Sequence, residues 1–184
     1  MDINQEKSLT SGGHTNLHPA QRQFNYHEWA NRRVITSILE LPAEEHRRRI
    51  QSTFASLADA IIHMYAIDAR WLNVLSGASF EESSELLTKL TDESKEIPLE
   101  EVWARYNGIY ERYHVFLKET DLDALFVLSH PQFGVYRTKL SEAVQHVVNH
   151  GTYHRGNLSS MLRQLGHRSV PTDYMFYLFA ESGK

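Results

Sequence analysis

Eleven histidines occur in this 184-residue chain, and three of them keep a fixed step: His146-Val-Val-Asn-His150-Gly-Thr-Tyr-His154. Residues four apart on a helix lie one above the other, with β-carbons about 5–6 Å apart. Two imidazoles at that spacing can share one metal ion, as they do in the two-histidine helices of zinc proteases. The apolar pattern around them ranks the pairs. Leu140, Ala143, Val144, Val147, Leu158, Met161, Leu162 and Leu165 form the buried stripe of a helix predicted over residues 138–165. At roughly 100° per residue, His154 falls within about 20° of the stripe's centre and His150 within about 50–60°, whereas His146 lies roughly 95° off, at the edge. His150 and His154 therefore take places that packing alone would give to apolar residues. Burying two neutral imidazoles without partners costs desolvation free energy. Hydrogen bonds in the core or a shared cation would offset that cost equally well on pattern alone.

A metal site usually needs three protein ligands, so a third must come from another helix. Candidates are His63, His27, His114 and the carboxylates Asp59 and Asp68. His63 lies about 105° from the centre of its helix's apolar face, which periodicity does not favour. In a bundle, however, a flank position can point along the crevice between two neighbours. Asp68 is almost central in the same stripe. A buried carboxylate needs a partner, either an arginine or a ligating histidine that it orients. Other chemistries lack their residues. The segment His27-Glu28-Trp-Ala-Asn31 breaks a His-Glu-x-x-His motif at its last position. Only Glu111-Arg-Tyr-His114 has the Glu-x-x-His spacing, where a di-iron bundle needs two such pairs and two more glutamates. No Gly-x-Ser-x-Gly, Walker or dinucleotide-binding signature is present. Cysteine is absent, which excludes a disulfide scaffold, a thiolate-ligated metal and a cysteine nucleophile, and fits a reducing cytoplasm.

The elements that must position these residues are helical. With 41% hydrophobic and 23% charged residues the composition is that of a globular domain, and the length suits one domain. A net charge of −4 gives no electrostatic footprint for nucleic acid. No apolar run approaches the roughly 18 residues of a membrane span, and the polar first 20 residues do not read as a secretory signal. Residues 1–18, with His14 and His18, read as a flexible tail, leaving 19–184 as the folded domain. Helical periodicity runs from Pro19 to Leu41, with Phe24, Ile35, Ile38, Leu39, His27 and Asn31 on one face. The basic run His46–Arg49 reads as a solvated helix start. A second helix is predicted over 51–76, its stripe starting at Phe54 and Gly77 ending it. Residues 78–97, acidic and rich in Ser and Thr, read as a crossover loop. A third helix starts at Pro98 and ends near Glu119. Residues 124–137 read as a small hairpin around a Pro/Gly turn. The fourth helix closes at Gly166, and 172–181 make a short aromatic helix with Thr172 as its N-cap. This is an all-α four-helix bundle with a β-hairpin before the fourth helix and a short C-terminal helix.

Three segments resemble the DinB-like (damage-inducible, YfiT-related) proteins. Phe24-Asn-Tyr-His-Glu-Trp-Ala-Asn31-Arg32 is similar to the family's opening motif, and His63-Met-Tyr-Ala-Ile-Asp68-Ala-Arg-Trp71-Leu72 to its second-helix motif. Val148-Asn-His150-Gly-Thr-Tyr-His154-Arg155-Gly156, with Leu162-Arg-Gln-Leu-Gly166 and Pro171-Thr-Asp173, is close to its C-terminal signature. The resemblance spans residues 20–180 in order. It implies an up-down-down-up bundle, and a divalent ion, zinc or nickel, held by His63, His150 and His154 with an open coordination position. That selects a third residue which the angular count disfavours. It also implies a homodimer and, by family-level analogy, a small-molecule substrate attacked with an external low-molecular-weight thiol or with water. The resulting expectation is a metal-dependent S-transferase-like or hydrolase-like enzyme, with a non-catalytic metal-binding stress-response or regulatory module as the alternative. Asn31 and His27, on the buried face of the first helix, and Arg155, suited to an anionic group or a structural salt bridge, are candidate contacts for a cofactor or substrate. Asn149 and Tyr153 flank the ligands but point away from the stripe.

Overall fold

The computed structural model describes residues 17–183. Of the expected tail, residues 1–16, including His14, lie outside the described residues. His18 proves to belong to the folded domain: its Nδ1 accepts the Ala20 N–H at 3.1 Å, while Gln21 Oε1 accepts the His18 N–H at 2.9 Å. This reciprocal pair caps the first helix. The elements are α1 (Pro19–Leu39), α2 (Ala43–His46), α3 (Leu57–Leu75), α4 (Phe80–Lys95), α5 (Leu99–Glu119), β1 (Leu125–His130), β2 (Gly134–Lys139), α6 (Leu140–Gln164) and α7 (Tyr174–Glu181).

Four long helices form the core, packed in the ring α1–α6–α3–α5. Their senses follow from which residues meet. His27 stands against Gly151 and Asn31 bonds to Arg155, so α1 and α6 run the same way. His63 meets His150 and His154 whereas the later Trp71 meets the earlier His146, so α3 opposes α6. Phe24 packs on Tyr113 while Arg32 lies over Trp103, so α5 opposes α1. The bundle is therefore up-down-down-up. Phe24, Ile35, Ile38, Ile61, Met64, Leu72 and Leu158 are fully buried between these helices. Each such side chain contributes on the order of 1.5–3 kcal/mol by leaving water.

Because α3 and α5 run the same way, the chain must travel back between them. The crossover over 78–97, expected as an aperiodic loop, is instead the helix α4, packed along α3. Ser79 accepts the Glu82 N–H at 3.2 Å and Glu82 accepts the Ser79 N–H at 2.8 Å, a complete capping box. The inner face of α4 disguises its period, since its two buried residues, Ser83 and Ser94, are polar. At about 1.5 Å per residue, α4 retraces most of the length of α3.

Three further expectations change. The second helix starts at Leu57 behind the N-cap Ser56, not at 51, so Phe54 lies in the preceding non-helical segment. The run His46–Arg49 is not a solvated helix start: His46 ends α2, is buried, and its ring bonds to the Ile38 carbonyl at 3.0 Å. There it closes the end of α1, while Arg47 donates to the Ile97 carbonyl at 2.9 Å. The N-cap of α7 is Asp173 rather than Thr172. The hairpin is as expected, antiparallel with Leu125 opposite Lys139 and His130 opposite Gly134. Its base is tied to α6, because Leu140 and Ser141 donate to the Ala124 and Leu122 carbonyls. No helix among the described residues is long and apolar enough to cross a membrane.

Candidate metal centre

α3 and α6 bring His63, His150 and His154 together: one ring nitrogen from each lies within 4.8 Å of the others. His150 and His154 stand one turn apart with their Nε2 atoms 3.0 Å from each other. A single hydrogen between two such nitrogens makes one a donor and the other an acceptor. Tetrahedral coordination at Zn–N distances near 2.0–2.1 Å sets nitrogens about 3.3 Å apart, which lies between the 3.0 Å separation of the His150 and His154 Nε2 atoms and the 4.8 Å that bounds the whole group. His150 Nδ1 is buried without a hydrogen-bond partner, leaving the Nε2 edge as that ring's engaged side. Phe54 covers the cluster, its ring 5.1 Å from His63 and 5.4 Å from His154. Burial drives the pKa values of His150 and His154 down to about 4, with mutual repulsion adding to it and the Asp68 charge opposing it. Burial also lowers that of His63. All three imidazoles are thus neutral near pH 7, the form that ligates a cation. The donor set, a facing triad of neutral nitrogens with no cationic side chain bonded to it, fits a divalent ion.

The other residues considered as ligands are engaged elsewhere. Asp59 accepts from the Ser56 hydroxyl at 2.8 Å, and His114 pairs with Glu28. His146, expected at the stripe's edge, is exposed, and its ring lies 4.6 Å from Trp71 and 6.3 Å from His150. Asn149 and Tyr153 face solvent as expected.

His27, Asn31 and Asp68 build a second polar group, buried behind the triad. Asp68 Oδ2 accepts from His27 Nε2 at 2.8 Å and from the Tyr106 hydroxyl at 2.5 Å. Its partner is therefore neither an arginine nor one of the three clustered histidines, the two options weighed from sequence. The geometry of α1 decides this, because it aims His27 across the bundle diagonal at α3. With Nε2 committed to Asp68, His27 Nδ1 is left buried without a partner. The Asn31 amide donates to the Tyr106 and Tyr110 hydroxyls at 3.2 and 3.1 Å. Its carbonyl accepts from Arg155 Nη1 at 2.8 Å. Arg155 makes no salt bridge among the described residues; it donates to Asn31, Tyr26 and Thr152. His27 and Asn31 are fully buried, so both act here as core polar groups. The tyrosines of α5 are not among the residues singled out from sequence. Burial holds the hydroxyls of Tyr106, Tyr110 and Tyr113 well above their usual pKa, so they remain neutral. The signal available was their number on one face, since tyrosine brings a polar tip that must be satisfied when buried.

The DinB family model matches residues 14–184. The chain is 38% identical over 161 residues to Protein DinB of Bacillus subtilis (strain 168), covering 87% of this chain and 94% of that protein. A crystal structure of an uncharacterized protein from Clostridium difficile 630 is similar with a TM-score of 0.56 over 76% of this chain and 92% of that one. At 12% identity it supports the helical fold alone. With the family match running through both halves of the histidine cluster, the chain belongs to the DinB family.

Proposed function

We propose that His63, His150 and His154 hold a divalent ion, zinc or nickel, with a coordination position left for a ligand from outside, and that the protein is a metal-dependent enzyme acting on a small molecule. The observation that carries this reading is the convergence of three neutral imidazoles from two helices within 4.8 Å. Three neutral ligands leave the ion its full charge, and such an ion supplies Lewis acidity that lowers the pKa of a water or thiol brought to it. The chain contributes the frame for that chemistry. α6 fixes two imidazoles at a one-turn spacing, α3 supplies the third, and Phe54 packs its ring against His63 and His154. Asp68 supplies a buried negative charge within electrostatic reach of all three rings. Because the chain has no cysteine, a thiol nucleophile would come from an external low-molecular-weight cofactor, giving S-transferase chemistry. Water in its place gives hydrolase chemistry. The protein is further expected to be a cytoplasmic homodimer. A non-catalytic metal-binding stress-response or regulatory role is the second reading, favoured by the burial of His154.

The test is a screen of metal-loaded protein with low-molecular-weight thiols against electrophiles, and with ester or amide substrates. Turnover that is abolished by His154→Ala supports the enzyme. Metal bound stoichiometrically without turnover of any class, at a site closed to added azide or thiol, supports the second reading.

A further inference from the structure

Two of the family-like motifs, Arg155-Gly156 and Pro171-Thr-Asp173, lie away from the histidine cluster and meet each other. The chain after α6 folds back along that helix, and between them is a cavity of about 450 Å³. Its α6 wall carries Thr152, Arg155, Ser159 and Arg163, whose three- and four-residue spacing puts them on one face. Ser169 and Thr172 line the opposite wall.

Arg155 forms the floor and is only 3% exposed. Its partners, Asn31, Tyr26 and Thr152, are all neutral, and its Nε is buried with no partner. Burying a cation among neutral groups is costly unless an anion compensates it. The one buried carboxylate in reach, Asp68, is separated from it by Asn31 and His27. Arg163, exposed at the same wall, forms no ion pair among the described residues, and the Ser159 hydroxyl has no hydrogen-bond partner among them. Asp173 stands on the same lining, so it holds two cations and one anion. That balance suits one small anionic group rather than a polyanion. Gly156 also faces the cavity, and a β-carbon there would meet nothing within 4 Å.

From this geometry we infer that the cavity is a second ligand site, separate from the histidine cluster, which takes an oxyanion group, carboxylate or phosphate, of a small metabolite. The anion sits against Arg155 and Arg163, with the Ser159 and Thr172 hydroxyls as further donors.

NMR titration of the full-length, isotope-labelled protein with inorganic phosphate and, separately, with acetate tests this. The expected result is saturable shifts of the Thr152, Gly156, Ser159 and Arg163 amides, with dissociation constants of about millimolar order. Saturation by phosphate alone assigns the phosphate class, and by acetate alone the carboxylate class. Arg163→Ala should weaken binding about tenfold by removing a charge-assisted bond. Gly156→Leu should abolish it while circular dichroism shows the fold retained, because its side chain grows into open space. His154→Ala should leave it unchanged, which separates this site from the metal reading. Shifts that stay linear with both anions, or saturation that survives Gly156→Leu at unchanged affinity, would overturn the inference.

Discussion

At His150 and His154 burial holds the pKa near 4, against 6.5 for a free imidazole. Above pH 6.5 neither the folded nor the unfolded chain is protonated there, and no penalty arises. Between 6.5 and about 4 the unfolded chain binds protons that the folded chain refuses, so the ion-free fold loses stability as pH falls. Urea midpoints of chelator-treated protein should accordingly be level from pH 8 to 7 and decline below 6.5, with a shallower decline in His150→Gln/His154→Gln. A midpoint unchanged down to pH 4.5 would show that these rings are not desolvated as described. Asp68 makes a different prediction. Asp68→Asn keeps the shape but removes the charge that His27 and Tyr106 address, leaving both donors with a weaker acceptor. The expected cost is on the order of 1–3 kcal/mol in unfolding free energy. A lower affinity for zinc should accompany it, read by isothermal titration, whereas a purely structural carboxylate would change stability and leave zinc affinity as it was.

Element packing explains why Gly151, between the two family-motif histidines of α6, is glycine. A β-carbon at Gly151 would lie 2.3 Å from His27 Cε1 and 2.4 Å from its Nδ1. Gly151→Ala must push His27 off Asp68 or force α1 from α6, and should cost about 1–3 kcal/mol despite alanine's better helix propensity. Gly108, on α5, has nothing within 4 Å, so Gly108→Ala should instead stabilise by up to about 1 kcal/mol. Chemical denaturation of the two variants checks the contrast in sign. The same scale decides what could be read in advance. α1, α5 and α6 each bury one stripe, and periodicity located them to within a few residues. α3 is buried nearly all round because α4, α5 and α6 all pack on it. The centre of its stripe is then poorly defined, which is why an angular count disfavoured His63, now seen facing His150 and His154. α4 was missed because Ser83 and Ser94 occupy its buried face, though Ser79 and Glu82 already spelled its cap. The pairing of His27 with Asp68 crosses the bundle diagonal, and no local pattern encodes which of several helices a buried carboxylate will face.

Over the whole molecule, the histidine cluster lies beside the buried hydrogen-bond chain Asp68–Tyr106–Asn31–Arg155, which ties α3, α5, α1 and α6 together. A cation that binds only when α3 and α6 are docked adds stability by mass action, about 2.7 kcal/mol at a free concentration one hundred times its dissociation constant. Melting temperature should therefore rise with added zinc in the wild type and fall with chelator, and do neither in His63→Ala. The most direct measurement is the metal content per chain of protein purified without a histidine tag and reloaded with zinc or nickel, by elemental analysis. One divalent ion per chain is predicted for the wild type, with none retained after gel filtration by His63→Ala, His150→Ala or His154→Ala, each of which still folds by circular dichroism. A wild type that holds no stoichiometric ion, or a folded His154→Ala that keeps one ion per chain at unchanged affinity, would contradict the three-histidine centre.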